Sequence, residues 1–381
     1  MPANEYLKTW KNQQREALNF PHPPPRHQPS HETLTEHGVP PAFASFLTDI
    51  AYPSGGHLEL TPNGGVLTTT SDDDLDSMLS DTLDRVLSYR GSRLANDAFQ
   101  YVLRWNKLKE STNDIAIGSL FLGHMNAGIV SPLAREAIIV IDPDFLKLLH
   151  CMSRILVGGI DGHKDEHGFF IYEGWKRTKV FGHKLSIEQA FAFARECSEW
   201  FRTGGSRQSF DRTRPSVRFG GAGPRLHDLG WLIDGQASSL FRAMLEFIVA
   251  HEIAHLVLGH LDTSCVNRMM FPGVEVTDVR ALQESSDDEY QADRCATELF
   301  MVNGSAEAFC EGAPDVLFLI YELFGKLGVV MNSTYDHPPP RKRLEQIRRS
   351  PFDRIRPEAL SFVASVKDTF DRFLRLCDGT H

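Results

Sequence analysis

The stretch from His251 to His260, with the sequence HEIAHLVLGH, decides the fold of this chain. It contains the pattern H-E-x-x-H, in which His251 and His255 stand four positions apart. On a helix this spacing places two side chains one turn apart on the same face, so both imidazoles can reach one ion. Glu252 lies beside that line, where its carboxylate can hydrogen-bond a water molecule without becoming a ligand. The pattern therefore predicts a zinc site with two histidine ligands and a general base.

The surrounding sequence predicts the helix that this spacing requires. No proline or glycine occurs from Ser239 to Leu258, and Gly259 then offers a helix stop. Two histidines on a buried helix face are hard to satisfy without a metal ion or several hydrogen-bond acceptors. Apolar side chains recur at helical spacing, and the histidines continue their stripe: Leu240, Met244, Phe247, Ile248 and Leu258.

The chain lacks the glycine and the third histidine of the metzincin pattern, so a third ligand has to come from further along the sequence. Glu289 and Asp293 are four positions apart in the segment EYQADR and share a helix face. One carboxylate can bind zinc while the other accepts the N–H of a ligand histidine. Glu284 and Asp288 have the same spacing, but their segment is typical of a helix start with acidic residues in its first turn. We favour Glu289 and Asp293.

Three motifs together resemble those of a gluzincin superfamily of zinc metallopeptidases. HEIAH is followed by EYQADR at 289–294 and by HPPPRKRL at 337–344. The superfamily includes the membrane prenyl-protein and heat-shock metallopeptidases, and the soluble Lit-like phage-exclusion peptidases are similar. The resemblance covers 251–344 and implies a zincin-like metallopeptidase core.

Carried over residue by residue, the resemblance implies that His251, His255 and Glu289 bind Zn²⁺. Glu252 would be the base that takes a proton from the attacking water and delivers it to the leaving amine. Asp293 would accept the N–H of a ligand histidine and fix its tautomer.

The third motif leaves two roles open for His337. Its side chain stabilises the oxyanion of the reaction, or it anchors a loop near the site. The three prolines at 338–340 stiffen this segment, which suits a side chain that must be positioned in advance. Arg343 is expected to pair with an acidic residue as structural support.

A second metal-binding pattern, the inverted motif H-x-x-E-H, runs from His163 to His167. That motif also needs a helix, whereas glycines at 158, 159, 162 and 168 surround this copy. We therefore predict a polar surface loop and no metal site here.

Composition and charge narrow the class of protein. The net charge of −10 over 381 residues and the pI near 5.9 argue against nucleic acid as the main partner. The segment from Met1 to Phe20 has no apolar core of a signal peptide. The longest apolar stretch, 316–331, is interrupted by Glu322 and Lys326 and is shorter than the roughly 20 residues of a membrane span. The six cysteines show no C-x-x-C spacing, which predicts reduced thiols in a cytoplasmic protein without membrane insertion.

The organisation of the chain is predicted more coarsely. Residues 1–60 are rich in proline and histidine and are expected to form an irregular arm. Residues 61–381 are expected to form one zincin-like domain, with its motif core at 238–350 and a helix at its C-terminal end. Further helices are expected at 72–89 and 186–201. We therefore predict an α+β class, mainly helical, with a small β-sheet.

The clearest strand is AIIVI at 137–141, directly before a helical pattern. Two interpretations of this strand are open. It is an edge strand that holds an extended substrate by β-augmentation, in which case Ile138, Ile139, Val140 and Ile141 bind substrate. Alternatively it is a buried central strand, which its aliphatic run favours.

Two functions from different classes fit these patterns. The first is a cytoplasmic zinc metalloendopeptidase that cuts a protein or peptide substrate through a metal-activated water, as a defence or stress effector. Because a free protease would be hazardous, we expect control by a regulatory partner or a covering segment. The second is a non-catalytic interaction protein with a structural zinc or a degenerate site, which would lack the base or fill a fourth ligand position. Glu252 is present, and His260, the nearest candidate for a fourth ligand, is expected to point away.

Overall fold

The structure is a computed structural model of the 381-residue chain. It describes residues 2–17, 32, 58–60, 66–68, 72–88, 115–120, 122, 126–132, 136–175, 179–180, 183–184, 186–202, 231–262, 268–277, 279–281, 285–303, 307–329, 338–348 and 356–378.

Helices form most of the described structure, which confirms the mainly helical α+β class. In chain order they are α1 (Ala3–Ala17), α2 (Asp72–Ser88), α3 (Pro143–Gly159), α4 (Ile187–Arg202), α5 (Trp231–Leu258), α6 (Ser286–Asn303), α7 (Ala313–Lys326), α8 (Pro340–Arg348) and α9 (Pro357–Cys377). Short 3₁₀ helices lie at His260–Asp262 and Ala308–Gly312. The strands are β1 (Leu58–Leu60), β2 (Val66–Thr68), β3 (Ile115–Ser119), β4 (Ala127–Ser131), β5 (Ala137–Ile141), β6 (Ile160–Lys164), β7 (Phe170–Trp175), β8 (Lys179–Val180), β9 (His183–Lys184), β10 (Arg268–Phe271), β11 (Val274–Thr277) and β12 (Arg280–Ala281).

A four-stranded mixed sheet in the order β12-β4-β5-β3 lies between two layers. Strand β5 is parallel to β3 and antiparallel to β4. Ile139 and Ile141 belong to the main core, formed largely by helices, whereas Ile138 and Val140 belong to a second cluster with α1 and the β10–β11 hairpin. Because both faces of the sheet are covered, β5 reads as an unbroken aliphatic run.

Part of the predicted irregular arm is regular. Residues 3–17 form α1, which buries Ala3, Leu7 and Trp10 on one face. Their spacing is helical, and the first proline of the proline-rich run comes only at Pro21. The expectation of an irregular arm was therefore wrong for α1. Apart from α1, Glu32 and β1, residues 1–60 lie outside the described residues.

The central helix is α5, which begins at Trp231, eight residues before the predicted start. Gly235 is accommodated inside it, at a cost of about 1 kcal/mol relative to alanine. The helix packs against α2, α3, α6 and α7 and is buried on nearly all sides from Leu240 onward, which stabilises it far beyond its local sequence preference. Gly259, with φ of +79°, ends it as predicted. None of the described helices is long and apolar enough to cross a bilayer.

The other predicted helices are also present. Helix α2 spans Asp72–Ser88, α3 follows β5 directly, and α4 spans Ile187–Arg202. Asp142 caps the start of α3, where its carboxylate accepts the backbone N–H of Asp144.

Candidate metal centre

Two neighbouring helices bring the predicted ligands together. His251 and His255 lie on α5, and Glu289 lies on α6. The two Nε2 atoms are 3.1 Å apart, and each is 3.5 Å from an oxygen of Glu289. All three side chains are buried, and their ligand atoms lie within 4.8 Å of one another. Two imidazole nitrogens and a carboxylate that converge in this way fit a single metal ion.

Small side chains on α6 allow this close approach. Ala292 and Ala296 are fully buried, and the helix crosses α5 along this face. A longer side chain at either position would push the backbone of α6, and Glu289 with it, away from the histidines.

Asp293 and Arg343 support the cluster from one side. Asp293 Oδ1 is 3.0 Å from His251 Nδ1, which leaves Nε2 of that ring directed at the cluster. Arg343 donates from Nε and Nη2 to the two oxygens of Asp293, at 2.7 and 2.6 Å. Its Nη1 lies 3.2 Å from Glu289 Oε2. One guanidinium therefore holds both carboxylates in place.

These contacts shift the pKa values of three side chains of the centre. Burial alone would raise the pKa of Asp293, but Arg343 holds it below its ordinary value. Burial disfavours a charged His251, yet Asp293 and Glu289 raise its pKa to about 10. Burial and the neighbouring His251 lower the pKa of His255 well below its ordinary value. His255 thus favours the neutral form in which an imidazole binds a metal ion, and a metal ion that binds the centre has to displace the proton of His251.

His260 does not point away from the site, so that prediction was wrong. Its Nδ1 lies 2.9 Å from His255 Nδ1, and its Nε2 lies 3.5 Å from Asp288 Oδ1. The left-handed conformation of Gly259 turns the chain back after α5, so the next side chain returns to the helix end. His260 contacts the nitrogen of His255 that faces away from the ligand cluster, so it supports a ligand instead of joining the cluster. In the sequence, the glycine directly before His260 was the feature that could have indicated this return.

Of the alternative acidic pair, the structure describes only Asp288, which is not part of the ligand cluster. Asp288 contacts His260, and Glu284 lies outside the described residues.

Glu252 lies in a cleft that opens beside the ligand cluster. Its side chain is buried, next to both histidines in the wall of the cleft. The cleft lies between α5, α7 and the start of β4. Its other walls combine apolar and polar side chains: Phe247, Ile248, Leu317, Phe318, Asn126 and Tyr321.

The predicted substrate strand at 138–141 has no free edge. Ile138, Ile139, Val140 and Ile141 lie in β5, which pairs with β3 on one side and β4 on the other. Substrate binding by β-augmentation at these residues is therefore wrong, because their backbone groups are already bonded. The other interpretation, a buried central strand, is the one that the structure shows and that the aliphatic run of 137–141 favoured.

The strand that reaches the cleft is β4, through Ala127 and Gly128. The N–H of Asp142 donates to the C=O of Asn126. Because alternate residues of an antiparallel strand bond to the same neighbour, the backbone N–H and C=O groups of Ala127 and Ile129 point away from β5. Strand β12 pairs with that edge at Val130 and Ser131, and residues 282–284, which follow β12, lie outside the described residues. Among the described residues, the edge at 127–129 has no strand partner.

Two predicted features lie apart from this centre. His163 and His167 belong to the β6–β7 hairpin and its turn, where both are exposed and His163 contacts Glu173. The surface-loop interpretation of H-x-x-E-H is consistent with this hairpin. His337 lies outside the described residues, so its role stays a prediction.

A His-His-Glu cluster next to a buried carboxylate in a cleft is the arrangement of a hydrolytic metal centre. Residues 187–353 match the sequence model of a family described as Peptidase U49. This span begins at α4 and includes α5, α6, α7 and α8, so it contains every residue of the centre and somewhat less than half of the chain. The similarity supports a peptidase. No curated protein and no solved structure matches the chain.

Proposed function

We propose that this chain is a zinc-dependent endopeptidase that hydrolyses a protein or peptide substrate. The observation that carries the proposal is the convergence of His251, His255 and Glu289 beside Glu252 in an open cleft. A structural zinc would take a fourth protein ligand, whereas the described residues contribute three to the cluster. The similarity to a peptidase family supports the same activity.

The residues around the cluster have distinct tasks in this proposal. Zn²⁺, when bound, supplies Lewis acidity that lowers the pKa of water to about 7 and polarises a carbonyl group. Glu252 accepts the proton of the attacking water and passes it to the leaving amine. Asp293 lies 3.0 Å from the outer nitrogen of His251 and His260 bonds the outer nitrogen of His255, and these contacts keep both Nε2 atoms aimed inward.

The apolar walls of the cleft suit a peptide substrate. Phe247, Ile248 and Phe318 line the cleft and favour an apolar substrate side chain near the cleaved bond. We extend the proposal to control by a regulatory partner and to a cytoplasmic protein. The second point agrees with Cys295, Cys310 and Cys377, none of which forms a disulfide.

The experiment compares new protein N-termini in cells that express the wild type and the Glu252→Gln variant. The wild type should generate a defined set of cleaved N-termini that the variant does not. In parallel, the purified wild type should carry about one zinc ion per chain, because the three ligands form one site. Identical N-termini in both cell lines, or purified protein without zinc, would contradict the proposal.

A further inference from the structure

Tyr321 places a hydroxyl group in the cleft although it is not among the predicted site residues. It lies on α7, and its side chain lines the same cleft as His251 and Glu252. Ten of the fourteen residues of this helix are buried. Tyr321 lies between this buried part and the cleft, where its apolar ring can pack and its hydroxyl can reach the cleft.

Two aromatic rings fix the position of Tyr321. Phe145 stacks on it with ring centroids 5.5 Å apart and an angle of 20° between the planes. Phe318 contacts it edge to face at 6.1 Å and also lies under the guanidinium of Arg343, 4.8 Å from its Cζ. Phe318 therefore contacts both Tyr321 and Arg343, the residue that holds Glu289 and Asp293. A group held this firmly needs little reorganisation when charge develops nearby.

Among the described residues, the hydroxyl of Tyr321 has one hydrogen-bond partner, and that bond is weak. It donates to Asn126 Oδ1 over 3.4 Å, longer than the roughly 2.7–2.8 Å of an ordinary O–H···O bond. A negatively charged oxygen in the cleft would be a much stronger acceptor. The hydroxyl can therefore exchange its hydrogen bond to Asn126 for one to such an oxygen, and no strong bond is lost.

The phenol keeps its proton at neutral pH. Burial raises the pKa of Tyr321; Arg343 opposes that shift, and Glu252 adds to it. A protonated phenol acts as a hydrogen-bond donor.

We propose that Tyr321 donates a hydrogen bond to the oxyanion that forms when water attacks the peptide carbonyl, and that Asn126 aims the hydroxyl before substrate binds. This role rests on the proposed function. In the step concerned, the water oxygen bonds to the carbonyl carbon, the carbonyl π electrons move to its oxygen, and a water proton passes to Glu252. Tyr321 stabilises the new negative charge and keeps its own proton.

The test is the Tyr321→Phe variant, which removes one oxygen atom and retains both ring contacts. With a peptide that the zinc-loaded wild type cleaves, selected from a mixed-sequence library, kcat should fall by about 10²–10³ while KM changes little. A phosphonate analogue of that peptide should bind the variant more weakly by a similar factor, measured by calorimetry. Zinc content and melting temperature should equal those of the wild type.

Tyr172→Phe is the matched control, because this phenol packs against Phe362 outside the cleft. It should leave kcat and phosphonate binding unchanged. A Tyr321→Phe variant that keeps kcat and phosphonate affinity within about threefold of the wild type would overturn the role of Tyr321 and leave the peptidase proposal standing. A zinc-loaded wild type that cleaves no peptide in the library would overturn both.

Discussion

Glu252 and Glu289 are both buried glutamates of the centre, but removal of their charge should have different consequences. Glu252→Gln should abolish peptide hydrolysis and retain zinc, because only the proton acceptor is lost. Glu289→Gln should lower both zinc affinity and activity, because a carboxylate ligand is lost. Zinc content by atomic absorption and hydrolysis of a cleaved peptide distinguish the two variants. Equal loss of zinc in both would show that the roles are assigned wrongly.

His260 offers a further test at the level of one side chain. Its ring bonds the outer nitrogen of His255, so His260→Ala should weaken zinc binding by about 10–100-fold without removing a ligand. The measurement is competition against a zinc chelator of known affinity. His163→Ala, on the exposed hairpin, is the control and should bind zinc like the wild type. Unchanged affinity in His260→Ala would mean that the contact with His255 does not position the ligand.

The contribution of Asp142, at the start of α3, to the stability of the fold should depend on pH. Burial, with a contribution from Asp144, raises the pKa of Asp142 from 3.8 to about 7. Because the folded pKa is the higher one, the associated stability is complete below pH 3.8 and is lost as the pH rises through about 7. Asparagine also caps helices well and cannot ionise. Asp142→Asn loses the acceptor for the N–H of Leu122 at every pH. The melting temperature of the variant relative to the wild type should therefore rise from pH 4 to pH 8.

Thermal unfolding of both proteins across this range measures the difference. Asp368→Asn, which removes a surface carboxylate paired with Arg372 on α9, serves as the control and should show no such trend. A constant difference between Asp142→Asn and the wild type from pH 4 to pH 8 would contradict the prediction.

The elements show what the sequence could and could not predict. Helix α5 and its ligands follow from local spacing, since residues four apart on a helix are neighbours whatever the rest of the chain does. Helix α1 was missed because the proline-rich composition after Pro21 was extended to the whole of 1–60, although the apolar spacing of Leu7 and Trp10 is helical. The central position of β5 depends on β3 and β4, whose order in the sheet is decided by tertiary contacts.

Removal of the metal should affect the whole molecule. The proposed ligands join α5 and α6, which lie in the middle of the main core. A ligand that binds only the folded state stabilises it by about 2.7 kcal/mol at a concentration one hundred times its Kd. A strong chelator should therefore lower the melting temperature of the wild type and that of Glu252→Gln equally. The melting temperature of Glu289→Gln should change less, and an equal shift in all three proteins would argue against Glu289 as a ligand.

The position of Arg343 in the chain links the centre to protein synthesis. Asp293 and Glu289 are buried, and Arg343, their shared cationic partner, is translated fifty residues after Asp293. A buried pair that loses one partner is destabilised by about 3–5 kcal/mol. A nascent or prematurely ended chain that stops before Arg343 contains the H-E-x-x-H helix but leaves two carboxylates without their guanidinium. The ribosome must therefore pass Arg343 before a stable centre can assemble. Products of translation that end before this arginine lack a stable centre.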